Sequence, residues 1–143
     1  MSWQDYIDGQ LLRAGFCYAS IVGFDGSCWA SSQGYVILPD EAKRFASLLA
    51  GTSLDSLSAA GFTAAGQKYA FTRGEVNDPN GSVPFIQGRC KEDGKSSQGI
   101  IIMKTTQALI VGVHDPAYSN GASFGSANTA IGRIADYFVE SGF

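Results

Sequence analysis

The hydrophobic pattern changes period several times along the 143 residues, and each change marks an expected element. Ser2 can cap a helix whose first turn holds Asp5. The pattern predicts that helix over residues 3–13, ending near Gly15, with Ile7 and Leu11 turned inward. Trp3 and Tyr6 are three apart and share one side of it. Residues 16–23 are rich in β-formers, and residues 28–31 return after Asp25-Gly26. An Asp-Gly pair between two apolar runs is a strong hairpin signal. Pro39 opens a second helix, followed by Asp40 and Glu41 in its first turn. Ala42, Phe45, Ala46 and Leu49 give it one apolar face. Gly51 ends it, and residues 52–61 read as turn or weak helix.

The middle of the chain predicts strands over residues 68–73, 83–89, 99–105 and 108–114. Loops at 75–82 and 90–98 separate some of them, and residues 105–107 form a tight connection between two strongly apolar strands. Such hairpin-like links predict an antiparallel sheet. A last helix is expected from near Ser126, where Ala127, Ala130, Ile131, Ile134, Ala135 and Phe138 form one stripe. Helix, hairpin, helix, antiparallel strands and helix in that order make an α+β fold with helices packed on a single sheet. No internal repeat or linker divides the chain, so one domain over residues 1–143 is expected.

Composition narrows the function classes. With 45% hydrophobic and 16% charged residues, the chain is a turn-rich globular protein rather than a disordered one. The net charge of −3 argues against a general nucleic-acid binder. The three cysteines, Cys17, Cys28 and Cys90, are odd in number and lack ligand spacing, so they read as buried thiols of a reducing compartment. No hydrophobic run approaches the ~20 residues that span a bilayer, and residues 1–5 do not resemble a signal peptide. A cytosolic location is expected.

Catalytic chemistry finds little support. His114 is the single histidine; any Cys-His or Ser-His system would have to use it, and no nucleophile motif appears. A structural role is expected for it, with no metal and no cofactor. The glycine-rich stretch 121–125 precedes a helix and could cradle an anion, but it lacks the lysine and spacing of a P-loop.

Aromatic residues gather near the chain ends: Trp3 and Tyr6 on the first helix, Tyr137 at the edge of the last stripe, and Phe143. One reading packs all of them in the core. The other places terminal helices side by side, so that the rings form a surface row suited to a polyproline II peptide.

Three segments resemble the profilin family. Residues 2–8, SWQDYID, are similar to its opening signature S-W-Q-x-Y-[IV]-D. Residues 21–30, IVGFDGSCWA, resemble I-x-G-x-D-G-x-x-W-A, and residues 134–143, IADYFVESGF, resemble L-A-D-Y-L-I-x-Q-G-F. Residues 64–69 and 99–105 fall in family order between them, so the resemblance runs the full length, with protist and plant members most alike. It implies a central antiparallel sheet with the terminal helices on one face and shorter helices on the other. It implies a polyproline site at Trp3, Tyr6, Trp29, Tyr137 and Phe143. It further implies an actin-binding face at Lys68, Thr72, Arg73, Arg89, Lys91, Gly125, Asn128 and Arg133. The loops at 75–82 and 90–98 look longer than the family's usual ones and adjoin that face, leaving the alignment of Arg89, Lys91 and Lys95 open.

The function implied is a non-enzymatic, monomeric carrier of actin monomers that docks onto proline-rich partners such as formins in the cytoplasm and cytoskeleton. Phosphoinositide binding, which family members achieve through basic patches, is expected to be weak with ten cations under a net negative charge. Two other readings remain from the residues alone. A small sensory or trafficking domain would bury Trp3, Tyr6 and Tyr137 around a metabolite. A thiol enzyme would use an accessible, low-pKa Cys28 or Cys90.

Overall fold

A computed structural model describes residues 2–51, 53–76 and 78–143. Met1, in the expected non-signal N-terminus, Thr52, in the weakly helical stretch, and Asn77, in the first long loop, lie outside the described residues. Helix α1 (Trp3–Tyr6) starts on a reciprocal cap: Ser2 Oγ accepts from the Asp5 N–H, and the Ser2 N–H donates to Asp5 at 3.0 Å. The expected α-helix to residue 13 does not continue. Ile7–Leu11 forms a wider π-turn, closed by the Leu12 N–H on the Ile7 carbonyl. Gly9, which holds helical backbone poorly, lies within this turn, and Ile7 and Leu11 are both buried.

Among the described residues seven strands follow: β1 (Phe16–Gly23), β2 (Cys28–Ser31), β3 (Phe62–Ala64), β4 (Gln67–Glu75), β5 (Phe85–Cys90), β6 (Gly99–Lys104) and β7 (Ala108–His114). They form one antiparallel sheet in the order β2-β1-β7-β6-β5-β4-β3. Helices α2 (Pro39–Leu49) and α3 (Asp55–Ala60) stand between β2 and β3, and α4 (Phe124–Glu140) follows β7.

Strand β3 goes beyond the sequence reading: its three residues are too few to show a period. It is held by the hairpin to β4, whose turn residues Ala65 and Gly66 both have positive φ. Strand β5 begins at Phe85 rather than at residue 83, after Pro84, which has no N–H to give the ladder. Helix α4 begins two residues earlier than expected, because Ser123 is the cap: its hydroxyl accepts from the Ser126 N–H at 3.0 Å.

The apolar runs of β6 and β7 are continuous because the sheet is covered on both sides. Ile100, Ile102, Leu109 and Val111 face α2 and α3, meeting Phe45, Leu49 and Leu57. Ile101, Met103, Ala108 and Ile110 face the chain termini, meeting Ile7, Leu11, Ala127, Ile131, Ala135 and Phe138. This is the expected arrangement, terminal helices on one face and shorter helices on the other, and it sets α1 and α4 side by side. No described helix is long and apolar enough to cross a membrane.

Candidate binding surfaces

Trp3 is the hub of the aromatic residues. Its ring centroid lies 4.9 Å from that of Trp29, 5.0 Å from Phe143 and 6.2 Å from Tyr6. Tyr6 in turn lies 6.4 Å from Tyr137. Thus all five aromatics picked out from the sequence converge. Beneath them Phe138 is buried and stands edge-on to both Trp3 and Tyr6, at 5.2 and 4.9 Å. The sequence shows Phe138 as a core residue; its second role as floor of the row needs α1 and α4 in place. Tyr137 and Phe143 are exposed, and Trp3, Tyr6 and Trp29 are half-buried, so the row is an open surface.

Each ring is held by its own element. Trp3 and Tyr6 share a side of α1, and the Gln4 amide donates to the Ser31 carbonyl at 3.0 Å, tying α1 to the strand that carries Trp29. Helix α4 ends in a reversal at Gly142, whose φ is +90°. The Phe143 N–H donates to the Phe138 carbonyl and the Gly142 N–H to the Val139 carbonyl, a Schellman pair that turns Phe143 back over Trp3. Tyr6 is held above the ordinary phenol pKa, first by burial and then by the neighbouring Tyr137 hydroxyl.

Beside the row, a cleft of about 550 Å³ runs between α1 and α4, lined by Tyr6, Gln10, Ala130, Arg133, Ile134 and Tyr137. Gln10 carries no signal in the sequence, and Ala130 reads there only as part of the α4 stripe; both join the surface through the approach of the terminal helices.

A second surface spans β4, β5 and the start of α4. Arg73 lies over the Phe85 ring at 5.4 Å, and Phe85 packs into the terminal-helix core, so Arg73 is on the α4 side of the sheet. Thr72 sits at a bulge in the β4–β5 ladder. Arg89 pairs across from Ala70 and donates to the Ser97 carbonyl at 3.0 Å. The Lys91 N–H donates to the Lys68 carbonyl, and Glu92 accepts from the Lys68 N–H, which pins the 90–98 loop to β4. Asn128 reaches this area from α4: it lines a shallow cleft with Phe85, Gln87, Ile101, Met103 and Thr129. Its Oδ1 is buried with no partner. Gly125 is exposed one turn earlier on α4.

Arg133, which the sequence reading sets with the β4–β5 cations, also lines the cleft beside Tyr6 and Tyr137. The reason is helical phase: Arg133 is one turn after Thr129, which lines the shallow cleft with Asn128, and one turn before Tyr137, so it stands on α4 between the two surfaces.

The thiols also divide. Cys90 is buried, but Cys28, expected to be buried, is exposed on the edge strand β2. Cys17 is half-buried, donates to the Val113 carbonyl, and has its pKa pushed up to about 11, by burial first and the Asp115 charge second. His114 is buried, with Nε2 at 2.7 Å from the Ala122 carbonyl. Among the described residues no three His, Cys, Asp or Glu side chains are grouped to hold a metal.

A family model described as Profilin matches residues 1–143. The chain belongs to the profilin family. It is 33% identical over 144 residues to Profilin-1A of Acanthamoeba castellanii, with all of both chains covered. The solved structure of Acanthamoeba castellanii profilin IA superposes with a TM-score of 0.77 at 31% identity, over 99% of this profilin and 100% of that chain. More distant structures share the fold alone. Mouse profilin IIa, solved in complex with a double repeat from the FH1 domain of mDia1, has a TM-score of 0.77 at 21% identity, with all of both chains covered. LokiProfilin2, in a complex with rabbit actin, has a TM-score of 0.61 at 12% identity, over 91% of this profilin and 90% of that chain.

Proposed function

We propose that this profilin binds actin monomers through the β4–β5–α4 surface and proline-rich peptides, of the kind found in formins, through the aromatic row. It joins the two in the cytoplasm as a monomeric bridge and performs no catalytic step. The observation that carries this reading is the convergence of Trp3, Tyr6, Trp29, Tyr137 and Phe143 into one open row. A polyproline II helix is stiff before it binds, so little ordering entropy is lost when its rings lie on flat aromatic faces. Its unpaired carbonyls then accept from the indole N–H and phenol O–H groups along the row.

The second surface suits a protein partner in a different way. Lys68, Arg73, Arg89 and Lys91 supply positive charge that steers an acidic partner such as actin. The unpaired Asn128 Oδ1 supplies an acceptor that a partner's donor would satisfy. Thr72 and Gly125 lie on the same surface and bear no charge. Phosphoinositide binding is weak in this reading, since the cations are few.

The test is a tryptophan-fluorescence titration with poly-L-proline, comparing wild type with Trp3→Ala. A saturable change in wild type that disappears in the folded variant supports the row as the peptide site. No change at millimolar proline sinks it. Arg73→Glu is expected to weaken actin binding and leave the proline titration unchanged; equal loss of both would contradict two separate surfaces.

A further inference from the structure

The aromatic row does not stop at Tyr6. The same ring is one wall of the cleft between α1 and α4, whose cation is Arg133. A proline peptide advances ~3.1 Å per residue, and the Tyr6 ring is 6.2 Å from Trp3 on one side and 6.4 Å from Tyr137 on the other. A peptide seated on Trp3 and Tyr6 therefore enters this cleft within about two further residues. Those residues meet an Arg133 whose side chain makes no hydrogen bond or ion pair among the described residues. Asp136 and Glu140 are exposed on the same helix but do not pair with it.

Resting on the peptide-binding reading above, we propose that this cleft is a specificity subsite. It holds the residue flanking a proline run, and Arg133 selects an Asp or Glu side chain there. A guanidinium offers a planar fork of donors that matches a carboxylate with two parallel hydrogen bonds, and an unpaired Arg gives up no existing partner to do so. A lysine at the same peptide position meets like charge. The aromatic row binds the prolines of any such peptide; the cleft distinguishes among peptides by what adjoins the prolines.

The experiment uses the full chain and a set of octaproline peptides carrying Asp-Asp, Asn-Asn or Lys-Lys at either end, since a polyproline II helix can lie in either direction. Wild type is expected to bind the Asp-Asp form roughly two- to fivefold tighter than the Asn-Asn form at one of the two ends, the range for an exposed ion pair. The Lys-Lys form at that end is expected to be the weakest, and the preference should shrink as salt rises. Arg133→Gln is expected to abolish the preference while keeping wild-type affinity for bare octaproline. Equal binding of the three forms by wild type at both ends would overturn the proposal, as would a preference that survives in Arg133→Gln. Failure of wild type to bind bare octaproline would remove the peptide-binding reading itself, and the subsite with it.

Discussion

The ring of Phe143 stands edge-on to the indole of Trp3, 84° between planes and 5.0 Å between centroids. Residue 143 is held there from behind: Thr105 Oγ1 donates to its carbonyl oxygen at 2.8 Å, the Gln107 N–H donates to the same oxygen, and the Gln107 amide donates to the Gly142 carbonyl. The tight connection between β6 and β7 is therefore a clamp on the aromatic row, although it contributes no ring to it.

Thr105→Val tests that clamp. It keeps the side-chain shape and removes the donor to Phe143 and the acceptor for the Ala108 N–H. Stability is expected to fall by about 1 kcal/mol, read by urea unfolding. Proline affinity is expected to fall severalfold, because Phe143 must then be ordered on binding. An unchanged proline titration in the variant would show that Phe143 stays in place without Thr105.

A second clamp lies on the opposite face. The buried carboxylate of Glu41 accepts from the Leu38 and Ala65 N–H groups at 2.9 and 2.8 Å and from the Gly66 N–H at 3.0 Å. It joins the start of α2 to the β3–β4 turn. Glu41→Ala leaves three backbone donors without that acceptor, and a loss of about 3 kcal/mol is expected. Urea unfolding that moves by less than a third of this would mean water replaces the carboxylate.

Alkaline pH should loosen the fold. Burial pushes Tyr35 and Tyr69 well up from the ordinary phenol value of 10.0, and Cys17 up from 9.0 to about 11. Each is neutral when folded and ionises more readily once unfolded. Their contribution is therefore complete below the unfolded values and is lost as pH rises through the folded ones. Urea midpoints are expected to hold steady up to about pH 8.5 and to decline from pH 9 upward. The Tyr35 hydroxyl is buried without a partner, so Tyr35→Phe should be neutral or stabilising at pH 7 and should flatten the alkaline decline.

Two glycines predict opposite signs. A Cβ at Gly88 would lie 2.7 Å from the Ala70 carbonyl oxygen, which belongs to the neighbouring strand and cannot swing aside. Gly88→Ala is expected to cost roughly 1–3 kcal/mol. At Gly132, inside α4, a Cβ meets nothing within 4 Å. Gly132→Ala is expected to stabilise by about 1 kcal/mol through helix propensity. Thermal unfolding of the two variants checks both signs.

The sequence by itself determined the α+β class, the order of the elements apart from β3, and the five aromatic residues that the fold brings into one row. Its signals there are local: Asp25-Gly26 for a hairpin, Pro39 for a helix start, the Ala127-to-Phe138 stripe for α4, and a signature that begins at Ser2. Each depends on neighbours a few residues away, which periodicity and turn chemistry can read. Tertiary structure alone decided what depends on distant partners. The spacing of Ile7 and Leu11 fits an ordinary α-helix and does not announce the π-turn found there, and β3 exists through its pairing with β4. Cys28 is exposed because β2 is a sheet edge, and Phe138 becomes a floor because α1 lies against α4. Arg133 shows the limit most plainly. Its charge is legible in the sequence, but the surface it serves depends on its phase around α4 and on which helix lies alongside.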